Sequence, residues 1–176
     1  MEAKLDSFDR NDRAQALKAL KAECDQGKIV CHEAGKFVNL HCHTFFSYNA
    51  YGYSPSKFAW LARKAGLAAA GIVDFDVLDG VDEFLNASKT LGLKGCAGIE
   101  TRVFVSEFGD KVINSPGEPG IAYHMGTGIT KTEIPPGQAS FQKKLTDTSR
   151  GRNLQIISKV NDFLDPVRID YDKDVL

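Results

Sequence analysis

The sequence predicts an α/β fold in which strands and helices alternate, and three observations carry that prediction. A short continuous apolar run, Leu67 to Val73, reads as a strand covered on both faces, and Leu93 to Ile99 reads as the next strand. Around them lie segments with apolar residues at helical spacing: Phe58, Leu61, Ala62 and Ala65, then Val81, Phe84, Leu85 and Ala87. Polar residues of the kind that do chemistry fall directly after the strands. That is the layout of α/β barrels and doubly wound sheets, whose sites lie at the carboxyl ends of the strands.

Taken in order, Asp9 to Gln26 places Ala14, Leu17, Leu20 and Cys24 at helical spacing before Gly27, an amphipathic helix appended to the strand-bearing part of the chain. Lys28 to His32 and Phe37 to Leu40 are β-like runs separated by Glu33-Ala34-Gly35-Lys36, which predicts a hairpin or a strand and a turn, with His32 on the surface. Ser54-Pro55-Ser56 starts a helix, Ser54 as its cap and Pro55 in its first position, and Gly66 stops it. The strand ending in Val73-Asp74-Phe75-Asp76 comes next, then a helix over Asp79 to Leu91 and the strand that carries Glu100 at its end. Thr101 to Ser106 and Asp110 to Ile113 predict a hairpin turned by Glu107-Phe108-Gly109. Gly120 to His124 is a further strand, Thr130 to Gly137 a loop, and Ala139 to Phe163 a long helix with Gly151 and Asn153 as points of interruption.

Composition narrows the function classes. A chain of 176 residues, 43% hydrophobic and 26% charged, holds one globular domain with a proper core. Its net charge of -1 provides no broad basic field for a nucleic-acid backbone, although local contact with a nucleotide stays open. No apolar run approaches the roughly 20 residues of a membrane helix, and Met1 to Asp6 lacks the basic flank and apolar stretch of a signal peptide. The expectation is a cytoplasmic protein with no membrane partner. Cys24, Cys31, Cys42 and Cys96 form no C-x-x-C pair, so they read as small buried side chains rather than as a zinc knuckle or a disulfide framework.

The segment Asn39-Leu40-His41-Cys42-His43-Thr44 carries the sharpest signal. Along a strand His41 and His43 share a face and Cys42 takes the other, so two imidazoles form half of a metal site. Alone, the pair could equally be two partly exposed histidines at a strand end, Glu100 a salt-bridge partner, and His124 a surface histidine. Together they stand at the ends of successive strands, on one rim.

These residues resemble the polymerase and histidinol phosphatase (PHP) domain superfamily. Its H-x-H-T/S opening is matched by His41-Cys42-His43-Thr44 and its G-x-E by Gly98-Ile99-Glu100. A following histidine before glycine is matched by His124-Met125-Gly126, and a T-D-H-D-like strand end incompletely by Val73-Asp74-Phe75-Asp76. The stretch from Arg150 to Asn161 is similar to the arginine-containing helix after that histidine. The resemblance runs from Phe37 to the C-terminus.

It implies a partial distorted (β/α)7 TIM-like barrel over residues 37–176, with 1–36 as an N-terminal helix and hairpin extension. It also implies metal-dependent hydrolysis of phosphate esters, with His41, His43 and Glu100 as catalytic residues. By the same resemblance His41 and His43 bind one divalent ion, Glu100 bridges two, and His124 binds the second; zinc, manganese and iron all suit such ligands. Phe75 and Tyr48 stand where the family has ligands, so a third ion would need Asp74, Asp76 or Asn49. After His124 the chain has no histidine. The family's late D-x-H is therefore missing, the barrel is expected to be incomplete at its C-terminus, and an exposed barrel edge is expected to favour homo-oligomers. Arg102 is either a phosphate contact or a strand-end surface arginine. The substrate is expected to be a small phosphorylated molecule, nucleotides included. Two alternatives stay open, a non-catalytic metal-binding or interaction module and an amidohydrolase-like metal hydrolase.

Overall fold

The computed structural model describes residues 1–47 and 51–175. It divides into two compact units, Met1–Glu133 and Ile134–Leu176. The predicted alternation forms the first of them. Helix α1 (Arg10–Asp25) starts at Asp9, whose carboxylate accepts a hydrogen bond from Asn11 N at 2.7 Å. Strands β1 (Val38–Asn39), β2 (Ala69–Phe75), β3 (Lys94–Phe104) and β4 (Ile121–Thr127) make one curled sheet in that order, with helices α2 (Pro55–Lys64) and α3 (Val81–Leu91) in the crossovers. β1, β2 and β3 run parallel, whereas β4 returns antiparallel to β3.

Alternation of side chains on the strands decides which face does what. Ala70, Ile72 and Ala97 meet Ala59 and Trp60 of α2 and Val81, Phe84 and Ala87 of α3, and Leu5, Ala16, Leu17 and Leu20 from the N-terminal segment belong to the same core. Val73 is also buried but lies outside this cluster, because it shares the opposite face with Phe75 and with their β3 partners Gly98 and Glu100. The helices thus cover one face of the sheet. The other face carries the chemistry.

Charge locks α1 to α2 and α3. Arg13 Nε donates to Glu83 Oε1 at 2.8 Å, Arg13 Nη2 pairs with Glu83 Oε2, and Ser56 Oγ donates to Glu83 Oε1 at 2.8 Å. Arg13 Nη1 caps the chain before α1 through Ser7 O at 2.7 Å and Phe8 O at 3.1 Å. Arg13, Glu83 and Ser56 are all buried, and a buried pair of this kind is tolerable only because its lone pairs and protons are satisfied. Lys57 and Lys64 likewise reach the N-terminal segment, pairing with Asp6 at 3.1 Å and Glu2 at 2.7 Å.

Several local expectations are corrected. Residues 28–36 form no hairpin; the segment instead bonds to the end of α1 through Lys28 N on Glu23 O at 2.9 Å, and to the end of α2 and the residues after it through His32 N on Lys64 O at 3.1 Å and Gly35 N on Gly66 O at 2.9 Å. Gly66 permits this approach: it has φ +71, and a Cβ there would lie 2.4 Å from Glu33 O. Cys24 and Cys31 are joined in a disulfide, which brings the chain after α1 back onto its last turn. β3 does not stop at Ile99 but runs eleven residues to Phe104, so the hairpin expected within 101–113 is replaced by β3, the connection 105–120 and β4. Asp110 to Ile113 is not a strand.

In the second unit, helix α4 (Ala139–Leu164) runs unbroken through Gly151 and Asn153. Lys143 and Asp147 pair at 2.5 Å along its surface, and Asn161 bonds both backbone groups of Ile169, its Oδ1 accepting from N at 2.7 Å and its Nδ2 donating to O at 2.9 Å. Among the described residues, no helix is long and apolar enough to cross a membrane.

Candidate metal centre

β1 ends at Asn39, and the chain continues beside β2: Val73 N donates to Cys42 O at 2.9 Å. The extended path keeps His41 and His43 directed to one side. On the adjoining face Glu100 projects from β3, in register with Phe75 of β2. His41 Nε2 lies 2.9 Å and His43 Nε2 3.0 Å from the same oxygen, Glu100 Oε2. Glu100 is 5% exposed, which would be a costly place for an isolated carboxylate. The two imidazoles compensate it.

Donor atoms of these three residues lie within 4.8 Å of one another. Ligand distances of about 2.0–2.2 Å put two donors on one ion no more than roughly 4.4 Å apart, so small side-chain rotations suffice to close the set on a cation. Two imidazole nitrogens and one carboxylate oxygen suit zinc, iron or manganese, and a three-ligand set leaves positions for water or substrate. The residues present therefore fit a divalent ion.

Neighbouring groups fix this arrangement. Asp74, buried at the end of β2, accepts from Thr44 N at 2.7 Å, Thr44 Oγ1 at 2.8 Å and Ser47 Oγ at 2.8 Å, and Ser47 Oγ in turn accepts from Phe75 N at 2.7 Å. Thr44, adjacent to His43, is thereby clamped to the strand. The Phe75 ring stacks on the His43 ring with centroids 4.2 Å apart, and Tyr123 of β4 lies 6.1 Å beyond Phe75. Burial holds the His43 imidazole below the usual histidine range and His41 adds to this, against the opposite pull of Glu100 and Asp74. The neutral imidazole is the form that ligates metals. Burial also pushes the Asp74 carboxyl up, against the hydrogen bonds from Thr44 and Ser47, and raises the Cys42 thiol.

Not every candidate joins the group. His124 faces Thr101 across the β3–β4 ladder, while Glu100 faces Met125, so His124 leaves the sheet on the side away from Glu100 and is exposed. Asp74 is committed to Thr44 and Ser47, and Asp76, at φ 58, accepts from Thr101 Oγ1 at 2.6 Å. Arg102 lies on Glu100's face, two residues further along β3, where Tyr123 is its ladder partner. Tyr48 and Asn49 lie outside the described residues. Sequence reasoning missed the support from Asp74, Ser47 and Tyr123. Thr44 and Asp74 stood inside the motifs, but nothing local showed that they bond to each other.

No protein-family model and no characterised protein sequence matches the chain. Solved structures do. A Bifidobacterium adolescentis protein provisionally described as a metal-dependent phosphoesterase superposes with a TM-score of 0.56 and 23% identity, over 80% of this chain and 43% of its own. An amidohydrolase from Chromobacterium violaceum, solved with sulfate bound and no metal, superposes with a TM-score of 0.57 and 19% identity, over 77% of this chain and 41% of its own. The chain thus spans less than half the length of either structure, and at these identities what it shares with them is the fold.

Proposed function

We propose that this chain supplies part of a metal-dependent hydrolase centre acting on phosphate esters, within a (β/α)7 barrel of the PHP type. The observation that carries the reading is the convergence of His41, His43 and Glu100 on a span that one cation can close. His41, His43 and Glu100 would hold a divalent ion there, and that ion would supply Lewis acidity for a phosphoryl oxygen and for water at neutral pH. The chain's own part is to hold the His43 imidazole neutral and to aim both imidazoles, with Phe75 against the His43 ring and the Thr44–Asp74 clamp behind the segment. Zinc, manganese and iron are the ions this donor set accommodates. A second ion shared through Glu100 would need donors that the described residues do not place beside it.

Two features favour a phosphate ester over an amide. The G-x-E glutamate is part of the donor set, and the sulfate of the Chromobacterium violaceum structure is a tetrahedral oxyanion like a phosphoryl group. That neighbour's description as an amidohydrolase supports amide hydrolysis as a second reading.

Metal analysis of the purified chain, with assays on an aryl phosphate and on an aryl amide, tests both. The expected result is stoichiometric divalent metal and phosphate-ester turnover, both lost in His43→Ala and Glu100→Ala. Amide turnover without phosphatase activity would favour the second reading. Metal bound without any turnover would make the chain a binding module, and absence of metal capture would sink the proposal.

A further inference from the structure

Arg102 is held by a device larger than a strand-end arginine needs. Its Nη2 pairs with Glu118, Ser115 Oγ donates to that same carboxylate, and Ser115 is buried. Both partners come from the connection 105–120, which folds back on the sheet: Val105 N donates to Gly120 O at 2.8 Å, and Asn114 Oδ1 accepts from Tyr123 N at 2.8 Å. The guanidinium carbon lies 5.9 Å from the centroid of the Tyr123 ring. Among the described residues, the buried Nε of Arg102 has no hydrogen-bond partner. One carboxylate and one ring therefore orient a fork of donors without filling it.

The direction of that fork matters. Arg102 and Glu100 share a face of β3, separated by about 7 Å along the strand. His43, Phe75, Tyr123 and Arg102 form a continuous row, each in ring or cation contact with the next. The row puts a fixed cation at one end of an aromatic wall and the imidazole–carboxylate cluster at the other.

We infer that Arg102 is the oxyanion-binding residue of this site, receiving phosphoryl oxygens of the substrate, and that Glu118 and Tyr123 are its positioning residues. This rests on the phosphate-ester reading for the identity of the anion, but it does not require the ion. Arginine suits tetrahedral oxyanions because two parallel N–H groups match two oxygens. Phe75 and Tyr123 between the two ends offer an aromatic face to an organic group attached to the phosphate.

Calorimetric titration of the full chain with inorganic phosphate, glycerol phosphate and acetate, each with and without added zinc, tests the assignment. Both phosphate species are expected to bind the metal-free chain and acetate to bind far less; tighter binding of glycerol phosphate marks an ester site, and equal binding a phosphate site. Arg102→Met should weaken phosphate about tenfold or more, as loss of charge-assisted hydrogen bonds predicts. Arg102→Lys should recover part of the loss, and Glu118→Gln should weaken phosphate by about threefold with circular dichroism unchanged. Phosphate binding by Arg102→Met or Arg102→Lys equal to that of the unaltered chain would overturn the inference, as would no phosphate binding by the unaltered chain. If Arg102-dependent phosphate binding persists while no metal is captured, the inference stands and the hydrolase reading falls.

Discussion

The Phe75 and His43 rings stack with their planes 16° apart. A phenyl ring cannot ligate, yet here it sets the attitude of one that can. Phe75→Ala should leave the fold intact and free the His43 ring to rotate, weakening divalent-metal affinity about tenfold, the scale of an outer-shell defect. Competition with a chromophoric chelator measures this directly; unchanged affinity would mean that the Thr44–Asp74 clamp alone positions His43.

Glu100 and His124 should separate cleanly by mutation. Glu100→Gln keeps the side-chain shape and removes the anionic ligand of the donor set, so metal affinity should fall well beyond the roughly tenfold of an outer-shell defect. His124→Ala, on the far side of the ladder, should bind metal within about twofold of the unaltered chain. Metal content after gel filtration compares the two, and a large loss in His124→Ala would contradict the register that turns it away.

Acid stability should depend on Glu83. Burial acts to raise its carboxyl, but the bonds from Arg13 and Ser56 outweigh burial and hold it below the usual glutamate range. A lowered folded value means that the unfolded chain takes up the proton first. The stabilisation is complete above the unfolded value and disappears as pH falls through the folded one. Asp74, raised by burial, acts in the opposite sense in the acid range, so the contribution is read from the difference between variants. Glu83→Gln should cost roughly 3 kcal/mol at neutral pH, because Arg13 is left buried without its partner charge, and should flatten the acid limb of stability. Urea unfolding at several pH values tests both parts.

Gly98 predicts a steric failure. A Cβ there would lie 2.3 Å from Gly126 O on β4, a backbone atom that cannot rotate away. Gly98→Ala should destabilise the chain by about 1–3 kcal/mol and loosen β4, seen as faster amide exchange at Ile99 and Glu100. An unperturbed exchange pattern would contradict the close approach of the two strands.

What the residues made legible was local. The Ser54-Pro55 start of α2, the apolar spacing of α3 and the buried runs of β2 and β3 each carry their cause within a few positions. The His-x-His pair and Glu100 stood at ends of such elements, and the structure brings these three together. The direction of β4 was not legible. A strand after a long connection can return either way, and the choice sets which of His124 and Met125 shares a face with Glu100. The polar run Glu100-Thr101-Arg102 looked like a strand end, because its partner strand lies about twenty residues further along. Cys24 and Cys31 matched no framework spacing; their meeting depends on how the chain turns after α1. Arg13 and Glu83 are separated by seventy residues, and nothing near either one announces the other.

β3 pairs with β2 through Glu100 and with β4 from Gly98 onward, so within β3 it is Gly98, Ile99 and Glu100 that are laddered on both sides. Length changes therefore have very different consequences along the chain. Insertions into the connection 105–120 leave the phase of β3 untouched, whereas one extra residue between Gly98 and Glu100 would turn the carboxylate to the helix-covered face and bring Ile99 toward the histidines. Divergence in sequences of this fold can lengthen the loop that holds Arg102 without shifting Glu100. It can alter the triplet ending in Glu100 only by substitution.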